Sequence, residues 1–353
     1  MSFRPLFVPT QAPGCNWYRM VSFAKYMKDA AVWPKHQPEK LPNWEQALES
    51  QGVRGNSICL EIAKEAAKSD IIIMQRICFF AGLAIIDYLK KELHKKVLVE
   101  IDDNISLVDS SNPAYGNIKP GSDQQKRFFE QLKEADGIIT STDYLKDEYK
   151  EYNKKTFVVR NAIDFGIWDR LKAPRGHSKV KIGWEGAHHH YEDLEIIMPV
   201  ISKIQKKYGD KVEFHFFGFI PDYFKNCAKL TDMVPIDKYP GVYKNLDLDI
   251  ILAPLRDTSF NRGKSNIRVL EAGALKKVVV ASANKNLPYA QIISSGYNGM
   301  LSNSTEEWIK AISLLIEHPN LRKELGNNLY HKVKKDFDVR DVAKEYEKLL
   351  RDF

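Results

Sequence analysis

From end to end the chain alternates short runs of β-branched and apolar residues with stretches of helical periodicity. Runs of this kind, bounded by turn residues, read as strands buried on both faces, and the helical stretches between them read as crossovers. Few architectures accept that pattern: parallel sheets with helices on both sides. In the first half the expected strands are PLFVP (5–9), DIIIMQ (70–75), KVLVEI (96–101), DGIITS (136–141) and TFVVR (156–160). The second half repeats the theme with VKIGW (180–184), VEFHFFG (212–218), DIILAPL (249–255), KVVVAS (277–282) and the shorter GML (299–301). LKAPRGHSK (171–179) has no apolar period and reads as a linker. Helices are expected over 42–50 and 58–68, and Val342, Tyr346, Leu349 and Leu350 give the last residues an amphipathic helical face. A chain of 353 residues suits two cores. The layout predicts two doubly wound, Rossmann-like α/β domains, 1–170 and 171–337, facing across a cleft and followed by a helix over 338–353.

Hydrophobic residues make up 44% and charged residues 28%, the balance of a soluble globular chain. The longest apolar stretch, IIIMQRICFFAGLAII (71–86), is broken by Gln75 and Arg76 and is too short and polar to span a bilayer. MSFRPLFVPT lacks the apolar run of a secretory signal. Cys15, Cys59, Cys78 and Cys227 are scattered without a C-x-x-C pair, as expected of reduced thiols in a cytoplasmic protein. The net charge of +7 divides into +2 for residues 1–172 and +5 for the remainder, with no dense basic tract. Such an excess suits anionic ligands, a membrane surface, nucleic acid or plain solvation, and does not choose among them.

In open α/β sheets ligands gather at the carboxyl ends of strands. Polar residues collect at those ends here: Gln75–Arg76, Asp102–Asp103, Ser141–Thr142, Asn161, Glu185–Gly186, Arg256–Asp257 and Ser282. The densest cluster lies in FNRGKSNIRVLEAGALKKVVVAS (260–282), which sets Arg262, Lys264, Ser265, Asn266, Arg268 and Glu271 beside an apolar strand. Ser265 reads as the N-cap of a helix whose Ile267, Leu270 and Ala274 form one face. Lys264, Arg268 and Glu271 fall on another, polar stripe. A diphosphate at that helix start would meet free backbone N–H groups, the positive end of the helix dipole and the Lys264 ammonium, with Arg262 adding charge. Glu271 would accept hydrogen bonds from ribose hydroxyls. The plainer alternative is a surface helix with an Arg268–Glu271 pair, which leaves the helix-weakening Gly273 without a purpose.

At LEAGALKKVVVAS the chain resembles the retaining GT-B glycosyltransferases, specifically glycosyltransferase family 4. Glu271 matches the second glutamate of the family's Glu-x7-Glu motif, while the first falls on Gly263. VVRNAIDFGIWD (158–169) is similar to the interdomain segment, and KIGWEGAHHHYEDL (181–194) to the first strand and glycine loop of the nucleotide-binding domain, with His190 and Asp193 as its His-x-x-Asp. VEFHFFGF, ending its strand at Gly218, and GYNGMLSNSTEEWIKAI (296–312) follow in family order. The resemblance implies a donor-binding C-terminal domain, an acceptor-binding N-terminal domain and a final helix that crosses back to it. It implies donor contacts from Gly14, Arg19, Gly186, His190, Gly218, Lys264, Ser265, Asn266, Arg268 and Glu271. GCNWYR (14–19) would be a loop, with Gly14 as its tight turn and Arg19 as an anion contact.

Where many members carry a histidine, this chain has Asp102 and Asp103. They either orient the acceptor hydroxyl and receive its proton or start a turn. His188–His190 are adjacent, so they cannot easily converge on one ion, and no paired Cys or Asp ligands lie nearby; they read as a loop lining the cleft rather than a metal site. No metal or other cofactor is expected, the nucleotide-sugar being a substrate. The implied activity is transfer of a sugar from a UDP- or GDP-sugar to a glycan or lipid-linked acceptor, with retention, and with Lys264, Arg262, Asp102 and Asp103 in catalytic roles. Two alternatives stand beside it. One is transfer to a hydroxymethylated DNA base, with Trp17, Trp33 and Trp44 as base-stacking surfaces. The other is a module that binds nucleotide-sugar without catalysis.

Overall fold

The computed structural model describes residues 3–9, 13–34, 57–77, 80–108, 110, 113–116, 118–172, 174 and 176–353. Among them are two parallel six-stranded sheets flanked by helices. The first contains β1 (Pro5–Val8), β2 (Ala31–Val32), β3 (Ile71–Gln75), β4 (Lys96–Ile101), β5 (Gly137–Thr140) and β6 (Thr156–Val158), ordered β2-β1-β3-β4-β5-β6. The second contains β7 (Val180–Glu185), β8 (Val212–Gly218), β9 (Ala228–Asp232), β10 (Ile250–Ala253), β11 (Val278–Ser282) and β12 (Met300–Ser302), ordered β12-β11-β10-β7-β8-β9. Strand order reverses between β1 and β3 in one sheet and between β7 and β10 in the other. Those are the points where such sheets bind ligands.

Every strand expected from the apolar runs is present, with ends displaced by at most two residues. β2 and β9 were not foreseen, and both are edge strands. β9, AKLTD, keeps its side chains half-buried or exposed, so it carries no apolar run to read. Inner strands such as IIIMQ of β3 and VVVAS of β11, by contrast, are buried throughout. The helix expected over 58–68 is Ser57–Ala67; that over 42–50, like Trp44 and Cys78, lies outside the described residues.

Backbone contacts divide the chain into two units, one of Met1–Asn161, Gly263–Ser265 and Val339–Phe353, the other of Ala162–Arg262 and Asn266–Asp338. The change of unit after Asn161 comes ahead of the linker-like 171–179 segment. The last helix, Val339–Arg351, belongs to the first unit. Its Tyr346 stands edge-on to Phe7 and Phe23, ring centroids 5.9 and 5.5 Å away. In the second unit the helix Ile267–Ala274 is buried from Arg268 onward. Gly273 has a structural purpose: a Cβ there would lie 2.6 Å from Val333 on the helix Pro319–Asp336. It therefore lends no weight to a ligand at the helix start. No helix among the described residues is long and apolar enough to cross a membrane.

Candidate active site

In the second unit the site residues gather at the β7–β10 switch point. β7 ends at Glu185, and Gly186 follows with φ +154°; Gly218 closes β8 with φ +94°. The two turns approach closely, Gly186 N donating to Phe217 O at 3.0 Å. A Cβ on Gly218 would sit 2.6 Å from Gly186 O, and one on Gly186 would sit 2.5 Å from Trp184 and 2.9 Å from Arg268 Nη2. Glycine is thus required at both strand ends, where Trp184, Arg268 and the facing turn leave no room for a side chain. Gly186→Ala is expected to lower stability by at least about 1–3 kcal/mol through its backbone conformation and the clash. The check is chemical denaturation of the variant, where an unchanged midpoint would contradict this geometry.

Arg268 is 6% exposed. It donates from Nε to Glu185 O and from Nη1 to the Tyr289 hydroxyl, both at 3.0 Å, and lies over the Trp184 ring at 5.3 Å. Its Nε is 3.6 Å from Glu185 Oε2. Burial pushes the Glu185 carboxyl up, outweighing the opposing pull of Arg268 and the Tyr239 hydroxyl. Glu271 is also buried and accepts from Tyr239 OH at 3.0 Å. The exposed Arg268–Glu271 pair of the plainer sequence alternative is therefore not what these residues form; each is turned inward onto its own partners.

Asp193 ties three segments together. Its Oδ2 meets His190 Nδ1 at 2.7 Å, while its Oδ1 accepts from Arg256 N at 2.8 Å and Asn261 Nδ2 at 3.0 Å. The turn after β7, the loop after β10 and the helical turn Ser259–Arg262 are thereby fixed around one buried carboxylate. Arg262 grips Asp257 with Nε at 2.6 Å and Nη2 at 3.0 Å. The N-cap of the helix Ile267–Ala274 is Asn266, whose side chain makes no capping bond. Ser265 is not the cap: its hydroxyl is engaged by Asn161 Nδ2 at 2.8 Å, within the first unit.

At the strand ends of the first unit, Asp102 and Asp103 follow β4. Lys264 Nζ is 2.7 Å from Asp103 Oδ1. Arg76 lies 3.9 Å from Asp102 Oδ1 and 3.8 Å from Asp103 Oδ2. Burial alone would lower the Lys264 pKa, but Asp103 and Asp102 outweigh it and hold the ammonium above its ordinary value. Burial, then the two aspartates, push the Cys15 thiol well up, so it stays protonated. The turn-starting role open to the aspartates falls to Asn104, whose side chain accepts from Ser106 N at 3.1 Å. The Asp103 carbonyl accepts from Tyr149 OH at 3.0 Å, and Asp102 Oδ1 is buried without a hydrogen-bond partner.

Three sequence expectations need correction here. GCNWYR is helical, not a loop: Pro13–Asn16 is an α-turn and Trp17–Val21 a π-helical one. Gly14 therefore makes no tight turn. Arg19 is not presented to a ligand; at 1% exposure it donates to Glu100 Oε1 at 2.6 Å, Val159 O at 2.7 Å and Asn161 Oδ1 at 2.8 Å. Trp33, expected on a base-stacking surface, is buried in the core. Sequence reasoning passed over Trp184, Tyr239, Tyr289 and Asn261. Nothing in an aromatic or amide side chain's local sequence marks it as a partner of a distant carboxylate or guanidinium.

A family model described as glycosyl transferase-like matches residues 200–348. The uncharacterized glycosyltransferase MJ1069 of Methanocaldococcus jannaschii is 27% identical over 303 residues, covering 79% of this chain and 74% of that protein. Among solved structures, Anabaena Alr3699/HepE in complex with UDP and glucose aligns with a TM-score of 0.70 at 13% identity, covering 99% of this chain and all of that one. Sucrose-phosphate synthase of Thermosynechococcus elongatus aligns with a TM-score of 0.66 at 11% identity, covering 99% and 98%. Together the family-model match, the curated relative and the shared two-sheet architecture support a glycosyltransferase of GT-B type.

Proposed function

We propose that the chain transfers a sugar from a nucleoside-diphosphate donor to an acceptor hydroxyl, with retention at the anomeric carbon. The observation that carries this reading is the N-terminus of the helix Ile267–Ala274, left without a side-chain cap, in the same unit as the strand-end glycines Gly186 and Gly218. A diphosphate needs N–H donors, and the first turn of a helix without a side-chain cap supplies them. UDP is the first nucleotide to test, since the Anabaena structure holds UDP and glucose and a second structure of that protein holds UDP-glucose. In the reaction the bond between the anomeric carbon and the diphosphate oxygen breaks, and a bond to the acceptor oxygen forms on the same face. The acceptor proton passes to the departing diphosphate. Lys264, just ahead of the helix in sequence, stabilises the negative charge that builds on that leaving group. Asp102 and Asp103 orient the acceptor hydroxyl. The positive end of the helix and Lys264 take the place of a divalent metal in this reading, and a glycan or lipid-linked sugar is the acceptor class.

A melting-temperature panel with UDP, GDP, ADP, CMP and dTDP tests the donor half of the proposal. At about 100-fold over the dissociation constant, a true ligand adds about 2.7 kcal/mol of apparent stability. UDP is expected to raise the melting temperature. Silence across the panel would remove the nucleotide-sugar reading and turn attention to DNA or a protein as the primary ligand.

A further inference from the structure

Three residues of the phosphate-side segment keep company different from their neighbours. Arg262 and Asn266 belong to the second unit, whereas Gly263–Ser265 belong to the first. Each of the three meets a polar group of that unit. Gly263 O accepts from Thr142 Oγ1 at 3.5 Å, Lys264 Nζ pairs with Asp103 Oδ1 at 2.7 Å, and Ser265 Oγ accepts from Asn161 Nδ2 at 2.8 Å. The first of these contacts is at the limit of a hydrogen bond and fixes little. The seating of this strap therefore depends on the other two.

Asn161 is itself held in one orientation by chemistry. Its Oδ1 accepts from Arg19 Nη1 at 2.8 Å, and arginine has donors only, so the amide must present its NH2 group to Ser265. Arg19 is fixed in turn by Glu100 Oε1 at 2.6 Å and Val159 O at 2.7 Å. Arg19 and Glu100 are 1% and 0% exposed, so their geometry is set by packing as well as by charge. Glu100 lies on β4, and Asp103 follows that same strand three residues later. The contacts thus close a ring: Glu100, Arg19, Asn161, Ser265, Lys264, Asp103, and back along the backbone to Glu100.

We propose that Asn161 is a positioning residue for Lys264, transmitting the fixed geometry of the Glu100–Arg19 pair through Ser265 to the strap. The inference rests on the reading of Lys264 as the charge that meets the leaving group. It adds that the ammonium works only when its backbone is pinned to the end of β4.

The test compares Ser265→Ala, Asn161→Ala, Lys264→Ala and the Ser265→Ala/Lys264→Ala double variant in the full chain. Two readouts are taken: steady-state turnover with the donor sugar of the nucleotide that shifts melting, and the rate of reductive methylation at Lys264 followed by mass spectrometry. Ser265→Ala is expected to lower kcat about three- to tenfold, the scale of one neutral hydrogen bond, with less change in the donor KM. Asn161→Ala is expected to lower it at least as far. Lys264 should methylate several-fold faster in both single variants. In the double variant the Ser265 substitution should add nothing to the loss from Lys264→Ala, because the two act through one group. Unchanged methylation overturns the strap whatever the activity does. Losses that multiply in the double variant overturn positioning while leaving Lys264 in the mechanism. Full activity in Lys264→Ala, with methylation still faster in the single variants, would instead sink the leaving-group reading beneath it, and the catalytic meaning of the strap with it.

Discussion

Lys264→Ala is expected to lower kcat by about 10²–10³-fold while the protein stays folded. That is the scale for removing one preorganised donor from a developing negative charge in a site shielded from water. Stability should change little, because Asp103 keeps Arg76 at 3.8 Å and its side chain remains 21% exposed. A carboxylate with a second cation and some solvent is not a stranded buried charge. Lys264→Arg should restore only part of the rate, since a planar guanidinium cannot reproduce a compact ammonium seated on one carboxylate oxygen. The measurement is single-turnover transfer with saturating donor, accompanied by a melting curve. Wild-type turnover in the alanine variant would remove Lys264 from the mechanism.

The largest stability effect is expected from Arg19→Leu. Removing one partner of a fully buried ion pair leaves the other charge uncompensated, at a cost of about 3–5 kcal/mol. The partner is Glu100, whose carboxyl burial pushes up to about 7 against the opposing pull of Arg19. Its ordinary value is 4.5, so the folded state holds a proton that the unfolded chain has already released. The stability this contributes is fully present below the unfolded value and is lost as pH rises through the folded one. In the wild type that loss is therefore spread between about pH 4.5 and 7. Without Arg19 the folded value rises further and the loss continues into the alkaline range. Denaturant midpoints should accordingly show the variant's deficit smallest near pH 5 and largest at pH 8 or above. A deficit independent of pH would mean that Glu100 is not the group left stranded.

The sheets were readable because their inner strands are buried on both faces, leaving continuous apolar runs such as IIIM and VVVA. The edge strands β2 and β9 lacked that signature, one for brevity and the other because its side chains face outward. Gly186 and Gly218 were named through the family resemblance, and the structure gives each a backbone reason to be glycine. Arg268 and Glu271 were found by position but misjudged in setting. Helical spacing groups residues into stripes without saying which stripe meets protein, and here the helix is enclosed almost entirely. Arg19 was misjudged for a related reason. A π-helical turn, Trp17–Val21, shifts side chains out of the 3.6-residue period that would have marked the segment as helical and its arginine as inward. The ring from Glu100 to Asp103 joins residues 19, 100, 161 and 264, and no local pattern records such a closure.

The return of the last helix to the first unit also bears on the order in which the protein can be built. Tyr346 covers Phe7 and Phe23, and a Cβ on Gly137 would lie 2.7 Å from the Phe353 ring. The sheet that begins with the earliest strand therefore waits for the latest helix before its apolar surface is closed. Ala162–Arg262 and Asn266–Asp338 need no such delay, since every segment of that unit precedes Val339. Synthesis runs from the N-terminus, yet the unit encoded first is the one whose core is sealed last, and its exposed aromatic face is the one that needs protection on the ribosome.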